Sequence, residues 1–181
     1  RRDIISIVQC LATGKRVKVT SSTPHQISEL LGKLGEFAPE GYALGFHVQL
    51  TTTKFLFQTY RKDWLDHYSQ NGLVMSDPIV AWSFENTGAK RWSDLDDPAG
   101  VLVTAAEYNM KYGVVCAISH GGTSSMAGFS RAAREYTDAE IDQLLAYVEA
   151  LHIQTADQAQ LSPETIKQLK NMSVMVTHPG S

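Results

Sequence analysis

Residues 114–131 read VVCAISHGGTSSMAGFSR, two runs of strand-forming residues on either side of Gly121-Gly122. Glycine accepts the left-handed backbone that a tight hairpin turn requires. Strands joined by so short a turn must be antiparallel. The stretch therefore predicts two antiparallel strands, at 114–120 and 125–131.

A second hairpin is predicted upstream, at 42–50 and 54–60, where aromatic and β-branched residues flank a run of three threonines. Residues 88–92 are interpreted as a loop, and Gly113 as the residue that ends a helix. Since hairpins outnumber βαβ units, the sequence favours an α+β fold with an antiparallel sheet and helices on its faces. Capping residues and apolar periodicity predict helices at 4–12, 24–37, 63–71, 76–85, 97–112, 137–158 and 162–172, the helix over 137–158 with a capping box of Thr137 and Glu140.

The bulk composition is that of a folded globular chain. Of 181 residues, 43% are hydrophobic and 19% are charged, which argues against disorder, and the formal net charge of −3 offers no basic surface to nucleic acid. No apolar run reaches the roughly 18 residues that a membrane span needs. Cys10, Cys116 and the six histidines follow no disulfide or metal-ligand spacing. The composition predicts a cytoplasmic protein without a metal or cofactor.

The clearest site signal is a set of aromatic residues followed by an acid. Tyr60, Trp64 and Tyr68 recur at four-residue steps, so on a helix they would line one face, and Asp77 and Trp92 follow. Each aromatic side chain has an apolar body and a polar tip, which suits an apolar pocket that must orient its ligand. The acid supplies an acceptor. The pattern indicates recognition of a small apolar ligand that carries an amide or a carbonyl group.

The same residues also fit a purely structural role. Aromatic residues are common in cores, and an aspartate before Pro78 is common as a helix N-cap. Asp77 can serve both purposes, with one carboxylate oxygen on the helix and the other toward a pocket. Among the other charged residues, Arg131, Arg134 and Glu135 are interpreted as a solvated cluster without a further role.

The pattern resembles the autoinducer-binding domain of LuxR-type quorum-sensing transcription regulators, over residues 25–158. The resemblance implies an α-β-α sandwich, in which a central antiparallel sheet of about five strands is flanked by helices on both faces. It also implies a buried site for an N-acyl homoserine lactone and no catalytic residue. It rests on Tyr112-Gly113 before a strand and on one ungapped motif, Tyr60-x3-Trp64-x3-Tyr68-x8-Asp77-Pro78-x13-Trp92.

The resemblance assigns the polar contacts of the ligand by position. It implies that Trp64 donates its indole N–H to the lactone carbonyl and that Asp77 accepts the amide N–H. It implies that Tyr60 and Ser130 give their hydroxyls to the acyl carbonyl. The chemistry of a neutral amphiphile agrees, because each of its few polar groups must be paired once it leaves water.

Tyr68 and Trp92 are implied to shape the apolar wall around the lactone ring and the acyl chain. Three departures from the family pattern leave the acyl-chain length and its substituent open. Ala117 stands where the family commonly has glycine, His120 stands where it often has proline, and the turn at 121–124 is about three residues shorter. A long acyl chain is the favoured ligand.

The resemblance also divides the chain into three parts. It implies an N-terminal helix and connector over 1–24, the autoinducer-binding domain over 25–158, and a linker helix over 159–181. The linker is expected to lead to a missing helix-turn-helix DNA-binding domain. Residues 176–178 resemble the sequence with which that domain begins. A homodimer is implied, with a seam on the helix over 137–158, and DNA contact is implied only through the missing domain.

Two other functions stay open beside a signal-binding regulatory module. A lactone or amide hydrolase needs a nucleophile with a base, or a metal-bound water, and the sequence has neither Gly-x-Ser-x-Gly nor a histidine cluster. A ligandless sensor or interaction domain of the GAF or PAS kind also pairs an antiparallel sheet with helices. Such a domain has no need of Trp64 or Asp77, so substitution of these residues separates the two cases.

Overall fold

The computed structural model of the protein describes residues 24–48 and 53–156, together with residues 163, 166 and 167. The helix predicted over 4–12 lies outside the described residues, as does most of the helix predicted over 162–172. No helix in the described part is long and apolar enough to cross a membrane. The helices are α1 (Pro24–Phe37), α2 (Lys62–Gln70), α3 (Pro78–Glu85), α4 (Val101–Glu107) and α5 (Asp138–Ala156). The strands are β1 (Tyr42–Val48), β2 (Phe55–Gln58), β3 (Gly88–Arg91), β4 (Tyr112–His120) and β5 (Thr123–Arg131).

The strands of the described residues form one antiparallel sheet in the order β2-β1-β5-β4-β3. The hairpin predicted around Gly121-Gly122 is confirmed. Both glycines have positive φ, at 62° and 78°, and His120 pairs with Thr123 across the turn. With helices on both faces of the sheet, the predicted α+β sandwich is confirmed.

The two faces of the sheet differ in side-chain size, because side chains alternate along each strand. The bulky face packs against the apolar stripes of α1 and α5, where Leu34, Leu44, Phe129 and Leu144 are 0% exposed. The opposite face is covered by α3 and by Trp92. By the strand register it carries residues that we call the small-residue face: Ala43, Gly45, Gly113, Val115, Ala117, Met126, Gly128 and Ser130.

The interpretation of residues 88–92 as a loop is wrong. Gly88–Arg91 form β3, which pairs with the edge of β4, and Trp92 begins a short 3-10 turn. Since the strand GAKR has no β-branched or aromatic residue, its conformation comes from pairing with β4 and not from local preference. The chain therefore gains a fifth strand that sequence periodicity does not reveal.

The helix predicted over 97–112 is much shorter, because α4 has only 7 residues. Asp97 lies before the helix and caps it: its carboxylate accepts from the N–H of Val101 and of Leu102, each at 2.8 Å. Asn109, with φ at 74°, turns the chain away after the helix. Gly113 lies inside β4, so its prediction as a helix end is also wrong.

The interpretation of Arg131 as part of a solvated cluster is wrong as well. Arg131 is 7% exposed, and its guanidinium lies 3.7 Å from the centroid of the Tyr136 ring. Its N–H groups donate to the Glu140 carboxylate at 2.9 and 2.8 Å, and Arg134 donates to the same carboxylate. Glu140 also accepts from the N–H of Thr137 in the predicted capping box. The carboxylate thus fixes β5 to the start of α5.

Candidate ligand-binding site

Trp64 and Tyr68 lie together on α2, as their four-residue spacing predicts, and Tyr60 packs against the same cluster from outside the helix. Tyr60 precedes the helix, and the rings of Trp64 and Tyr68, one turn apart, have centroids 5.5 Å apart. Trp64 is 5% exposed, and its ring lies 5.3 Å from that of Tyr108. Trp64 and Trp92 also share a cluster with Val101, Ala105 and Met110. The aromatic side chains therefore form a second apolar layer, separate from the main core.

Asp77 joins two helices of this layer. It is 7% exposed, and its Oδ1 accepts from the N–H of Ile79 at 2.8 Å, which makes it the N-cap of α3. Its Oδ2 accepts from the Tyr68 hydroxyl at 2.7 Å. A carboxylate has about four acceptor positions, so these two bonds leave capacity for a further donor. The residue is both a cap and a buried acceptor.

Burial sets the protonation of these groups. It raises the pKa of Asp77, and the hydrogen bonds from Tyr68 and Ile79 act in the opposite direction. Burial also raises the pKa of Tyr60 and of Tyr68, and the charge of nearby Asp77 adds to both shifts. Both phenols are therefore protonated donors at neutral pH. They lie next to a carboxylate whose charged form is stabilised by every hydrogen bond that it accepts.

The hydroxyls of Tyr60 and Ser130 already donate to main-chain carbonyls. Tyr60 Oη donates to Gly128 O at 3.0 Å, and Ser130 Oγ donates to Gly41 O at 3.0 Å. Both contacts lie at the small-residue face, where Ser130 is 0% exposed and pairs with Gly113. A ligand carbonyl at either hydroxyl has to replace one of these bonds.

Trp92 supplies a donor of a different kind. It is 5% exposed, and its indole Nε1 is buried without an acceptor among the described residues. The ring lies flat against β4: a Cβ on Gly113 would stand 2.0 Å from Trp92 Cδ2. An unpaired buried donor typically costs ~1–3 kcal/mol. The indole N–H is thus available to an acceptor that enters this layer.

A family model of the autoinducer binding domain matches residues 25–158 of the chain. The chain belongs to the autoinducer-binding domain family. Such domains of LuxR-type regulators are ligand-binding regulatory domains that bind small-molecule autoinducers, and they are not enzymes. The family predicted from the aromatic and acidic motif is thereby confirmed, and the hydrolase alternative is set aside.

Solved structures share the fold of this autoinducer-binding domain. CepR2 from Burkholderia cenocepacia, described as an N-acylhomoserine lactone dependent LuxR family transcription factor, is 17% identical with a TM-score of 0.57, over 84% of this chain and 98% of that chain. Escherichia coli SdiA is 16% identical with a TM-score of 0.58, over 99% and 74%. SdiA in complex with octanoyl-rac-glycerol is 17% identical with a TM-score of 0.56, over 90% and 71%. No curated protein sequence matches the chain.

Several features of the layer are absent from the sequence prediction of this autoinducer-binding domain. The motif does not predict the bond between Tyr68 and Asp77, the contact of Tyr108 with Trp64, or the place of Ile79 over Gly128. The small-residue face itself has a readable signal, since four of the six alternate positions in 113–117 and 126–130 are glycine, alanine or serine. The other features depend on helix placement, which local sequence does not encode.

An open groove of about 510 Å³ lies elsewhere in the domain, between α1 and the start of β1. None of the six residues assigned to the ligand lines it. It is lined by Ser28, Leu31, Gly32, Gly35, Ala38, Pro39, Gly41, Tyr42 and Thr59.

Proposed function

We propose that this domain binds an N-acyl homoserine lactone with a long acyl chain between the small-residue face and the layer of α2, α3 and α4. One observation carries the proposal above all: a buried carboxylate, Asp77, and a buried indole donor without a partner, Trp92, belong to the same apolar layer. A neutral ligand with an amide N–H and several carbonyls complements such a layer, because it brings one donor and more than one acceptor.

The proposed contacts combine the positions that the family resemblance assigns with the polar groups of this layer. Asp77 accepts the amide N–H of the ligand beside the Tyr68 hydroxyl, a charge-assisted bond worth ~1.5–3 kcal/mol. Trp64 donates to the lactone carbonyl. Tyr60 and Ser130 turn their hydroxyls from the carbonyls of Gly128 and Gly41 to the acyl carbonyl.

Tyr68 and Trp92 complete the wall, where the unpaired indole N–H of Trp92 offers a further donor to a ligand carbonyl, and the acyl chain extends along the small-residue face. Each buried CH₂ contributes ~0.8 kcal/mol, so chain length is the main source of affinity once the head group is paired. The glycines and alanines of the face carry little side chain of their own, whereas the large side chains of the bulky face pack into the core.

The proposed regulation acts through stability. A ligand that binds only the folded domain stabilises it by ~2.7 kcal/mol at a concentration of one hundred times its Kd. We place the autoinducer-binding domain at 25–158, after an N-terminal helix and connector over 1–24 and before a linker over 159–181. Ligand binding then favours a folded homodimer, whose seam we assign to α5, and transcription control follows through a DNA-binding domain outside this chain.

Thermal unfolding with and without N-dodecanoyl homoserine lactone tests the proposal. We expect a rise in Tm that grows with ligand concentration, and recovery of the unchanged lactone by mass spectrometry after the complex is denatured. The lactone-opened acid and the matched variant Asp77→Asn serve as controls, and both should shift Tm far less. No shift at saturating lactone would remove this function and leave the ligandless sensor.

A monoacylglycerol of the same chain length is the informative second ligand, since SdiA is known in complex with octanoyl-rac-glycerol. It has an ester in place of the amide, so only its hydroxyls can donate to Asp77. A larger Tm shift with the lactone assigns the site to the amide. If the lactone shifts the Tm of wild type and of Asp77→Asn equally, the assigned contact between Asp77 and the ligand amide is contradicted.

A further inference from the structure

A second polar cluster lies on the bulky side of the sheet, away from the ligand layer. It joins the irregular end of β1, the start of β5 and the last turns of α5. His47 is 3% exposed and His152 is 0% exposed, and their ring centroids lie 4.7 Å apart. His47 sits at the register shift of β1 with φ at 53°. Two buried imidazoles at this distance are unusual in an apolar core, because charge on either one is costly.

The partners of His152 fix its tautomer. Its Nε2 faces the carbonyl of His120 at 3.2 Å, and a carbonyl only accepts, so Nε2 carries the proton. Its Nδ1 faces Ser125 Oγ at 2.7 Å. In the neutral ring this nitrogen is an acceptor, so the Ser125 hydroxyl donates to it. Ser125 Oγ in turn accepts from the N–H of His47 at 3.1 Å.

The partners of His47 fix its tautomer in the same way. Thr155 Oγ1 donates to the carbonyl of Leu151 at 2.7 Å, so it can only accept from His47 Nε2 at 2.8 Å. His47 Nδ1 is then an acceptor, and it receives the hydroxyl of Thr123 at 2.9 Å. Every polar group of the cluster is paired when both rings are neutral.

A proton on either Nδ1 breaks this pattern. It places an N–H donor against a hydroxyl that is itself donating: Ser125 is 2% exposed, and Thr123 has only the carbonyl of His120, at 3.4 Å, as another acceptor in the described part of the chain. The charged groups around the pair offer little compensation: Lys54 and the exposed His120 disfavour further positive charge, and among the described residues only Glu149 on α5 favours it.

We propose that His47 and His152 form an acid-sensitive latch, which holds the C-terminal half of α5 on β1 and β5 only while both rings are uncharged. The latch does not depend on the ligand proposed above. Release of α5 from the sheet is coupled to proton uptake by the pair, so the domain loses stability in mildly acidic conditions while the folded pair itself stays neutral.

The direction of the pKa shifts agrees with this geometry. Burial lowers the pKa of His47 from its ordinary 6.5 to about 4, with His152 and Lys54 acting in the same direction. Burial also lowers the pKa of His152. The unfolded chain therefore binds more protons than the folded one below pH ~6.5, and stability is lost as pH falls from there toward the folded pKa.

Urea unfolding between pH 7.5 and pH 5.0 tests the latch, with His47→Gln and His152→Gln as variants. We expect the wild-type midpoint to fall with pH, with an uptake of one proton for each histidine on unfolding. Each variant should be less stable at pH 7.5 and should lose less of its midpoint at pH 5.0. The comparison variant His120→Gln removes an exposed ring but keeps the accepting carbonyl, so its pH dependence should stay closer to wild type than that of either buried histidine. Equal pH dependence in all four proteins overturns the proposal.

Nitrogen-15 NMR of the imidazoles in the wild-type protein decides the matter even where a variant fails to fold. The latch requires that both rings carry the proton on Nε2 at pH 7 and stay neutral at pH 5.5. A ring that titrates near pH 6.5, or that carries its proton on Nδ1, overturns it.

Discussion

The hydroxyl of Tyr68, in the last turn of α2, donates to Asp77 Oδ2 at 2.7 Å, while Asp77 Oδ1 starts α3 by accepting from Ile79 N. One carboxylate therefore sets the position of α3 relative to α2. Any ligand donor that reaches Asp77 acts on this same contact between α2 and α3. Binding and helix packing are thus coupled at a single buried side chain.

Asp77→Asn tests this contact. The amide keeps an oxygen for the cap of α3 and presents an NH₂ group that the Tyr68 oxygen can accept, so we expect a stability loss of only ~1 kcal/mol. The amide N–H of a lactone then meets a donor in place of an acceptor, and affinity should fall by ~1.5–3 kcal/mol, or roughly 10- to 100-fold. Calorimetric titration with N-dodecanoyl homoserine lactone measures the difference. Unaltered affinity in this variant contradicts the proposed role.

Trp92→Phe tests the unpaired indole donor. The substitution removes a buried N–H without an acceptor, and this gain offsets part of the packing lost with the larger ring. We expect the unfolding free energy without ligand to change by no more than ~1–2 kcal/mol, and the Tm shift caused by the lactone to shrink. A full ligand response in this variant assigns Trp92 a structural role alone. Trp64→Phe is the comparison variant on α2.

Elements with local signals are predictable from the sequence. Pro24 at the start of α1, the pair Gly121-Gly122, and the box of Thr137 with Glu140 each act within a few residues, and each prediction is confirmed. β3 has no such signal, because its hydrogen bonds come from β4, which lies more than twenty residues further along the chain. The helix predicted over 97–112 is too long at its start, because Asp97 lies outside α4. Its carboxylate reaches past Pro98 and Gly100 to accept from the first N–H groups of the helix, and local sequence does not reveal this cap.

The candidate site shows the same division. The four-residue spacing brings Trp64 and Tyr68 together because a helix repeats locally, and the Asp77-Pro78 pair gives a recognisable cap. Gly113 is misinterpreted because a Tyr-Gly pair before a strand resembles a helix end. Glycine is required here because the Trp92 ring lies against the backbone at this position. The contact joins segments separated by twenty residues. Long-range contacts of this kind have no signature in a single sequence.

Gly113→Ala tests that contact. A Cβ at this position stands 2.0 and 2.2 Å from Trp92 Cδ2 and Cε2, so the ring has to move. We expect a loss of ~1–3 kcal/mol in unfolding free energy, and a shift in the tryptophan fluorescence. The matched control is Gly128→Ala on the same face, where the added Cβ meets Tyr60 and Ile79 at ordinary distances of 3.4–3.8 Å. Its cost should stay below ~1 kcal/mol, and equal costs at the two positions argue against the packing described.

Glu140→Gln tests the junction between β5 and α5. Arg131 is nearly buried and donates twice to this carboxylate, so its loss leaves a guanidinium with weakened pairing. We expect a destabilisation of ~2–3 kcal/mol in urea unfolding at pH 7. The exposed counterpart is Asp138→Asn, because Asp138 pairs with Arg91 at 2.6 Å but is 90% exposed, and its loss should cost ~0.5 kcal/mol or less.

The pH dependence of the Glu140 effect separates it from the histidine latch. The hydrogen bonds from Arg131 and Arg134 hold the pKa of Glu140 far below its ordinary value. A lowered carboxyl pKa contributes stability that is complete above the unfolded value of ~4.3 and is lost as pH falls below it. The stability difference between wild type and Glu140→Gln should therefore be constant from pH 7.5 to pH 5.0 and shrink below pH ~4. A difference that already shrinks between pH 6.5 and pH 5.0 contradicts this assignment, because Glu140 stays ionised over that range in the folded and the unfolded chain.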